Sequence, residues 1–347
     1  MPRRVLGGDP MKNLFLSAAL ATTMLAGANA AHAVDMKLSL WIPPMHPLVA
    51  GLTEWGKDVE AASGGEIAVK LFPAEQLGKA GDHYDMARDG IVDMAMVAPG
   101  YSAGRFPIWS IIELPFTFKN STDGAKALHE WYAAYADREM PDVKVCLVTM
   151  HHPGTLHTTK TEVRTPDQLN GLRIRPAGPV TSAFVTAQGG ATVQAALPEI
   201  RELAERGVVD GVTWPPDIFV IRAESALKYH MGEPFYITAQ AQVINKDFYA
   251  GLSDSQKAVI DAHCTPEWSA KVNQGWADGE MAALERLRGL EGHTVYSLSE
   301  DEFAKWKDAA APLVDQVLKT AGDRYGIDAT QVQAELFERL DANDARY

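Results

Sequence analysis

The stretch from Thr165 to Pro215 constrains this chain more than any other. It opens on Thr165-Pro166-Asp167-Gln168, where Thr165 can act as N-cap, Pro166 suits the first helical position and Gln168 can close a capping box. Asn170-Gly171 stops that turn, and Leu172-Arg173-Ile174-Arg175 then alternates apolar and cationic residues until Pro176 and Gly178 break the run. A period of two predicts a short strand with both arginines on one face and one of them at the strand's end. Glu199 to Arg206 returns to helical spacing, with Ile200, Leu203 and Ala204 on the apolar side and Gly207 as the stop, before Val208–Val212 reads as strand and turn. Short strands separated by amphipathic helices predict an α/β fold.

The same alternation runs through the rest of the chain. Met36–Ile42 predicts a strand with Leu38, Leu40 and Ile42 on one face, ended by Pro43-Pro44, so that Trp41–His46 forms the first post-strand loop. Leu48–Ala62 reads as helix, Gly64-Gly65 as its break, 67–72 as strand, 80–90 as helix and 91–98 as a buried strand. Residues 124–138 predict one helix and Val143–Met150 an apolar strand that leads into His151-His152-Pro153-Gly154. Ser253 and Gln256 form a second capping box, opening a helical pattern that runs to about Leu290 with Pro266 as its expected kink. Ser299 and Glu302 cap a further helix, and the tail from Asp328 is helical and charged. In open α/β sheets the loops after the strands face the ligand cleft.

Through Thr165–Gln168, Gly171-Leu-Arg-Ile-Arg-Pro176 and Gly207-Val-Val-Asp-Gly211 the chain resembles the solute-binding subunits of tripartite ATP-independent periplasmic (TRAP) transporters, the DctP-like family. Residues 73–94, 106–116 and 244–261 fit the same resemblance. It implies an α/β, two-domain periplasmic binding protein of the Venus-flytrap type, with hinge strands near residues 150–153 and 237–242 and a long domain-spanning helix. Residues 34–152 plus 239–275 would form one domain, and 153–238 plus 276–347 the other with the C-terminal helices. The ligand, a small carboxylate, would lie between them and pass to the small and large permease subunits of a sodium-coupled TRAP transporter. The resemblance makes Arg175 the bidentate partner of that carboxylate, a role its planar, permanently charged fork suits. Internal pairing of Arg175 with an acidic side chain is the structural alternative.

Two departures from the family pattern bear on the ligand. Where many members carry a second arginine in a Gly-Phe-Arg pattern, this chain has Gly154-Thr155-Leu156-His157, so His157 stands in for part of that cation or the ligand needs only one. Where members that bind a 2-oxo acid with a cation have Gly-x-Glu-Trp, this chain has Gly211-Val212-Thr213-Trp214, which removes the cation-binding carboxylate. Trp214 would offer a cleft wall an apolar surface or a cation–π face, or else pack in the core. Phe235 and Tyr236, just before the strand that crosses back between domains, are further candidates to cover a ligand. The lost arginine and Trp214 favour a monocarboxylate with an apolar, aromatic or quaternary portion.

Gly100-Tyr101-Ser102-Ala103-Gly104 matches the Gly-x-Ser-x-Gly nucleophile elbow, which would make the chain a periplasmic serine hydrolase. The elbow needs a helix behind the serine, and Pro107 arrives too early for one. Ser102 therefore reads better as a loop hydroxyl near a bound carboxylate. His151, His152 and His157 lack metal-ligand spacing, since neighbours in a strand face opposite sides, so neither metal nor cofactor is expected. A receptor for an ATP-driven transporter is disfavoured by the paired motifs, and a sensor module for a membrane kinase is a further reading that they leave open.

Charge and cysteine content narrow the partners and the compartment. The 347-residue chain carries a net charge of −13, which excludes nucleic acid as a natural partner and leaves any anion site in need of a local cation. Lys12 precedes an apolar run from Leu14 to Ala28 that ends in small residues, which predicts a secretory leader over residues 1–33 and a periplasmic location. The run is short for a membrane anchor. Met1–Pro10 reads as extra leader or a misassigned start. An oxidising compartment permits a bridge between Cys146 and Cys264, although the apolar run around Cys146 reads as that of a buried small hydrophobe.

Overall fold

The computed structural model describes residues 33–347, so the leader read at the amino terminus lies outside the described residues. The chain runs β1 (Val34–Ser39), α1 (Pro47–Ala62), β2 (Ile67–Phe72), α2 (His83–Arg88), β3 (Met94–Val97), α3 (Thr122–Tyr132), α4 (Ala136–Glu139) and β4 (Val143–Met150). Then come β5 (Thr155–Thr158), β6 (Arg173–Arg175), α5 (Pro179–Ala187), β7 (Ala191–Thr192), α6 (Ile200–Glu205), β8 (Gly211–Trp214) and β9 (Tyr229–Met231). β10 (Ala239–Asn245), α7 (Lys246–Gly251), α8 (Asp254–His263), α9 (Pro266–Arg288), β11 (Thr294–Tyr296), α10 (Glu300–Tyr325) and α11 (Ala329–Ala342) complete it.

Two mixed sheets result. The first has the order β2-β1-β3-β10-β4, with β10 antiparallel to both neighbours and β1 parallel to β2 and β3. The second has the order β11-β9-β5-β8-β6-β7, in which β6 runs parallel to β7 and β8. All seven residues of β10 are buried, because this strand is central in its sheet. Helix α1 starts on Pro47 with the His46 ring accepting from Leu48 N–H, and it buries Leu48, Leu52, Trp55 and Val59, the stripe its spacing predicts.

The chain passes between the sheets through residues 151–154 and 236–238. These two crossings are bonded to each other: Gly154 N–H donates to Tyr236 O at 2.8 Å and Phe235 N–H to Gly154 O at 2.9 Å. A Cβ at Gly154 would come within 2.7 Å of the Tyr236 ring, so only glycine lets the crossings approach this closely.

Helix α9 covers the free edge of β4, and it does so with polar side chains. Ser269 Oγ accepts from Val148 N–H at 2.9 Å, Asn273 Oδ1 from Met150 N–H at 2.9 Å, and Glu280 Oε2 from His152 N–H. Alternate residues of an edge strand point their N–H groups outward, and here three in succession are met from one helix face.

Several boundaries differ from the sequence reading. Pro266 does not kink one long helix: α8 ends at His263, Thr265 Oγ1 accepts from Trp268 N–H, and Pro266 occupies the first helical position of α9, where its missing donor costs nothing. The helix expected over 124–138 divides into α3 and α4. β1 ends at Ser39, although Leu38, Leu40 and Ile42 are all fully buried, and β3 starts only at Met94 because Ile91 lies exposed in the preceding turn. Thr165–Gln168 forms its capping box on a single 3₁₀ turn, Pro166–Leu169.

Cys146 and Cys264 are joined in a disulfide, which overrides the reading of Cys146 as an unpaired core residue. Cys146 is fully buried in β4, and Cys264 caps the end of α8, so the bridge ties the start of α9 to the first sheet. The sequence separation of 118 residues closes a long loop, for which chain entropy predicts a large effect on the unfolded state. Reduction, or Cys264→Ser, should lower stability by about 2–5 kcal/mol, read as a fall in melting temperature with and without reductant. Coincident melting curves would show that the bridge does not form.

Candidate functional site

Four post-strand segments converge on one cavity. Trp41 and His46 come from the loop after β1, Ala98, Gly100 and Tyr101 from the turn after β3, Arg175 and Ala177 from the end of β6, and Trp214 and Pro215 from the end of β8. These strands all present carboxyl ends, the edge at which α/β sheets hold ligands. His151, Tyr236 and Thr238 on the crossings, Ala239 and Gln240 at the start of β10 and Trp276 on α9 complete the wall, with Leu197 beside them.

Arg175 is the chemical centre of this wall. It is 1% exposed, and among the described residues no carboxylate lies within ion-pair reach of it. Its Nε and Nη2 both donate to Ala195 O, at 2.9 and 2.8 Å, while Nη1 is buried without a partner. The side edge of the guanidinium is thus held by backbone, which aims the end-on Nη1–Nη2 edge for another acceptor. Arg173, two residues earlier on the same strand, is instead neutralised by Asp210 at 2.8 Å. The alternative of an internal salt bridge applies to Arg173 and not to Arg175.

Burial removes the other charges. Desolvation lowers the pKa of His46 to about 3 and of His151 to about 4, so both rings are neutral near pH 7. His151 Nε2 accepts from Thr238 N–H at 2.8 Å, and its Nδ1–H donates to the His152 carbonyl. No Asp or Glu lines the cavity. Arg175 therefore contributes the cavity's single permanent charge, set among Trp41, Tyr101, Trp214, Tyr236 and Trp276. Its guanidinium lies 5.7 Å from the Trp214 ring centre, and Trp41 meets Tyr101 edge-on at 5.4 Å.

The residues singled out from sequence divide into two groups. Arg175, Trp214, Trp41 and Tyr236 line the cavity; Ser102, His157 and Phe235 do not. Ser102 follows the short turn Pro99–Tyr101 with no helix behind it, and its hydroxyl has no base as partner among the described residues, while Tyr101 occupies the wall in its place. Phe235 packs in the core against Phe184 and Trp306, with ring centres 5.8 and 5.1 Å away. The sequence reading missed Gln240, Tyr101 and Trp276. Position after β3 could have found Tyr101. Gln240 gave no signal within the alternating run Ala239-Gln240-Ala241-Gln242.

His157 supplies no cation, because it belongs to a chain of neutral imidazoles. Its Nε2–H donates to Trp214 O at 3.0 Å, so Nδ1 must accept, from His230 Nδ1–H at 2.8 Å. His230 Nε2 then accepts from His293 Nδ1–H at 3.0 Å, and His293 Nε2 accepts from Lys228 Nζ at 3.2 Å. Each proton position follows from the last, starting at a carbonyl that can only accept. Burial holds His157 at about 4 and His230 at about 2, the latter lowered further by the adjoining His157 and His293 rings and the Lys228 ammonium.

Comparison with known proteins places the chain among relatives. Residues 39–320 match the family model described as bacterial extracellular solute-binding protein, family 7. A TRAP solute-binding protein from a marine metagenome, specific for aromatic acid ligands and solved with co-crystallised 3-hydroxybenzoate, is 30% identical, with a TM-score of 0.84 over 90% of this chain and 99% of that one. A TRAP solute-binding protein from Rhodoferax ferrireducens T118, solved with copurified benzoate, is 25% identical, with a TM-score of 0.83 over 90% of this chain and 98% of that one. The ectoine/5-hydroxyectoine-binding periplasmic protein of Ruegeria pomeroyi is 24% identical, covering 81% of this chain and 84% of the relative. The chain spans 60% and 62% of the length of two further curated relatives. The architecture is that of the two-domain periplasmic binding proteins in these structures.

The imidazole chain makes a prediction about protons. Ring-nitrogen NMR near pH 7 should find His157 as the Nε2–H tautomer and His230 and His293 as Nδ1–H. His157 should stay neutral down to about pH 4. Because these folded-state values lie below the ordinary histidine value, the unfolded chain binds protons first, and this part of the stability is complete above about pH 6.5 and declines below it. An Nδ1–H tautomer at His157, or a titration near 6.5, would break the assignment.

Proposed function

The chain belongs to the bacterial extracellular solute-binding proteins of family 7, the periplasmic solute-binding proteins of TRAP transporters, and we propose that within this family it captures a small aromatic monocarboxylate. The observation that carries the reading is the charge count of the cavity: one buried, unpaired guanidinium, no carboxylate, two neutral imidazoles and a wall of aromatic rings. A single carboxylate would cancel the single charge through the Nη1–Nη2 edge, and the rings would cover a flat apolar body. Benzoate and 3-hydroxybenzoate in the two similar structures are ligands of this kind.

In this reading the protein is secreted to the periplasm, encloses the acid by closure about the crossings at 151–154 and 236–238, and hands it to the small and large permease subunits. The proposed domains, 34–152 with 239–275 and 153–238 with 276–347, each hold one of the two sheets.

A thermal-shift series on protein freed of bound small molecules tests the reading. A ligand at ~100 times its dissociation constant adds about 2.7 kcal/mol of stability, so benzoate at saturation should raise the melting temperature visibly. Arg175→Ala should weaken binding by about 2–5 kcal/mol, and Arg175→Lys, which keeps the charge but not the fork, should recover only part of that. Equal binding by wild type and Arg175→Ala, or shifts from neutral solutes alone, would refute the assignment.

A further inference from the structure

We propose that the ligand carries a hydroxyl group besides its carboxylate, and that Trp41 and Gln240 are the pair that recognises it; this inference rests on the aromatic-acid reading above. Four buried polar atoms of the cavity wall lack a hydrogen-bond partner: Trp41 Nε1, Arg175 Nη1, Gln240 Oε1 and the Tyr236 hydroxyl, the last of which can donate or accept and so selects no group by itself. Trp41 and Gln240 are each 4% exposed, so bulk water does not serve them. Among the described residues the indole nitrogens of Trp55, Trp131, Trp214 and Trp306 all donate to backbone carbonyls, whereas Trp109 Nε1 and Gln242 Oε1 are buried unpaired away from this cavity; what sets the cavity apart is that several such atoms share one wall. A buried polar atom left unpaired is costly, and groups held so at a cavity wall mark where a ligand atom completes them.

The chemistry of the two atoms selects the group. Trp41 Nε1–H can only donate and Gln240 Oε1 can only accept, and both belong to the first sheet and its loops, whereas Arg175 belongs to the second. A hydroxyl satisfies both at once, taking the indole proton on a lone pair and giving its own proton to the amide oxygen. A second carboxylate would meet the indole but face the amide oxygen and find no second cation, since His46 and His151 are neutral. An ammonium would meet the amide oxygen but face the indole N–H. A plain hydrocarbon end would bury both atoms unpaired. The ligand class is therefore the hydroxylated aromatic monocarboxylates, with the carboxylate on the Arg175 side and the hydroxyl towards the first sheet.

Calorimetric titration of the protein, freed of bound small molecules, would compare benzoate, 3-hydroxybenzoate, 4-hydroxybenzoate and mandelate on wild type, Gln240→Met and Trp41→Phe. At least one hydroxylated acid should bind wild type about tenfold or more tightly than benzoate, as expected where a site pairs a substrate hydroxyl. The affinity ratio of that acid to benzoate should fall towards one in Gln240→Met, and Trp41→Phe, which keeps a ring in place, should lower it independently. If benzoate binds as tightly as every hydroxylated acid, or the ratio survives in both variants, the inference is overturned while the aromatic-acid reading stands. If none of the four acids binds wild type, both fall together.

Discussion

The outer edge of β4 is the constraint on which the rest of the structure depends. An edge strand that leads straight into a crossing between sheets cannot be left open, because its unpaired N–H groups would invite another chain and its exit angle would wander. The ladder of Ser269, Asn273 and Glu280 on α9 meets Val148, Met150 and His152 in turn, and the last of these lies inside the crossing itself. One rigid helix thereby sets where the first sheet ends and where the crossing begins. The same helix carries Trp276 into the cavity wall, so the wall and the crossing share one support.

That support is built at a cost which shows where function lies. Burial holds Glu280 well above the ordinary carboxylate range, with His152 N–H opposing the shift, and its second oxygen is unpaired. Arg175 is sealed from water with only the Ala195 carbonyl as partner. A buried cation without a counter-charge costs several kcal/mol even after relaxation. Arg173 on the same strand shows the cheaper solution, an ion pair with Asp210 open to solvent. In the proposed function a ligand anion would account for the expense at Arg175, restoring the missing charge and filling the unused edge of the fork.

Much of this was legible in the sequence, for reasons that differ by residue. Capping boxes at Ser253 and Ser299, and the alternation through Arg175, are local rules, and local rules survive folding. Thr265-Pro266 repeats the Thr-Pro start seen at Thr165-Pro166 and could have been read the same way; a strong helical pattern on both sides hid the break. The disulfide could not be read, because partners 118 residues apart are brought together only by tertiary packing. Gln240 could not be read either. In an alternating run a glutamine suggests a solvated face, and only the central position of β10 buries it against the cavity. His157 misled for the opposite reason: its position suggests a cation, whereas its surroundings determine its charge.

The neutral histidines make the cavity selective by what they withhold. Had His46 or His151 stayed protonated, the wall would carry a second cation, and a dicarboxylate could be bound with both ends paired. Instead desolvation neutralises His151, and the imidazole chain from Lys228 to Trp214 uses every nitrogen of His157, His230 and His293 in one direction. Adding a proton to His157 or His230 would replace an acceptor by a donor and set two N–H groups against each other, so the chain itself resists charging. A ligand bearing a second carboxylate would then have to bury that charge unpaired, at a cost of several kcal/mol. For the proposed monocarboxylate ligand, discrimination against dicarboxylates would thus come from a missing attraction more than from a clash. The last imidazole donates to the Trp214 carbonyl, and the ring of the same residue lies 5.7 Å from the guanidinium that carries the one remaining charge.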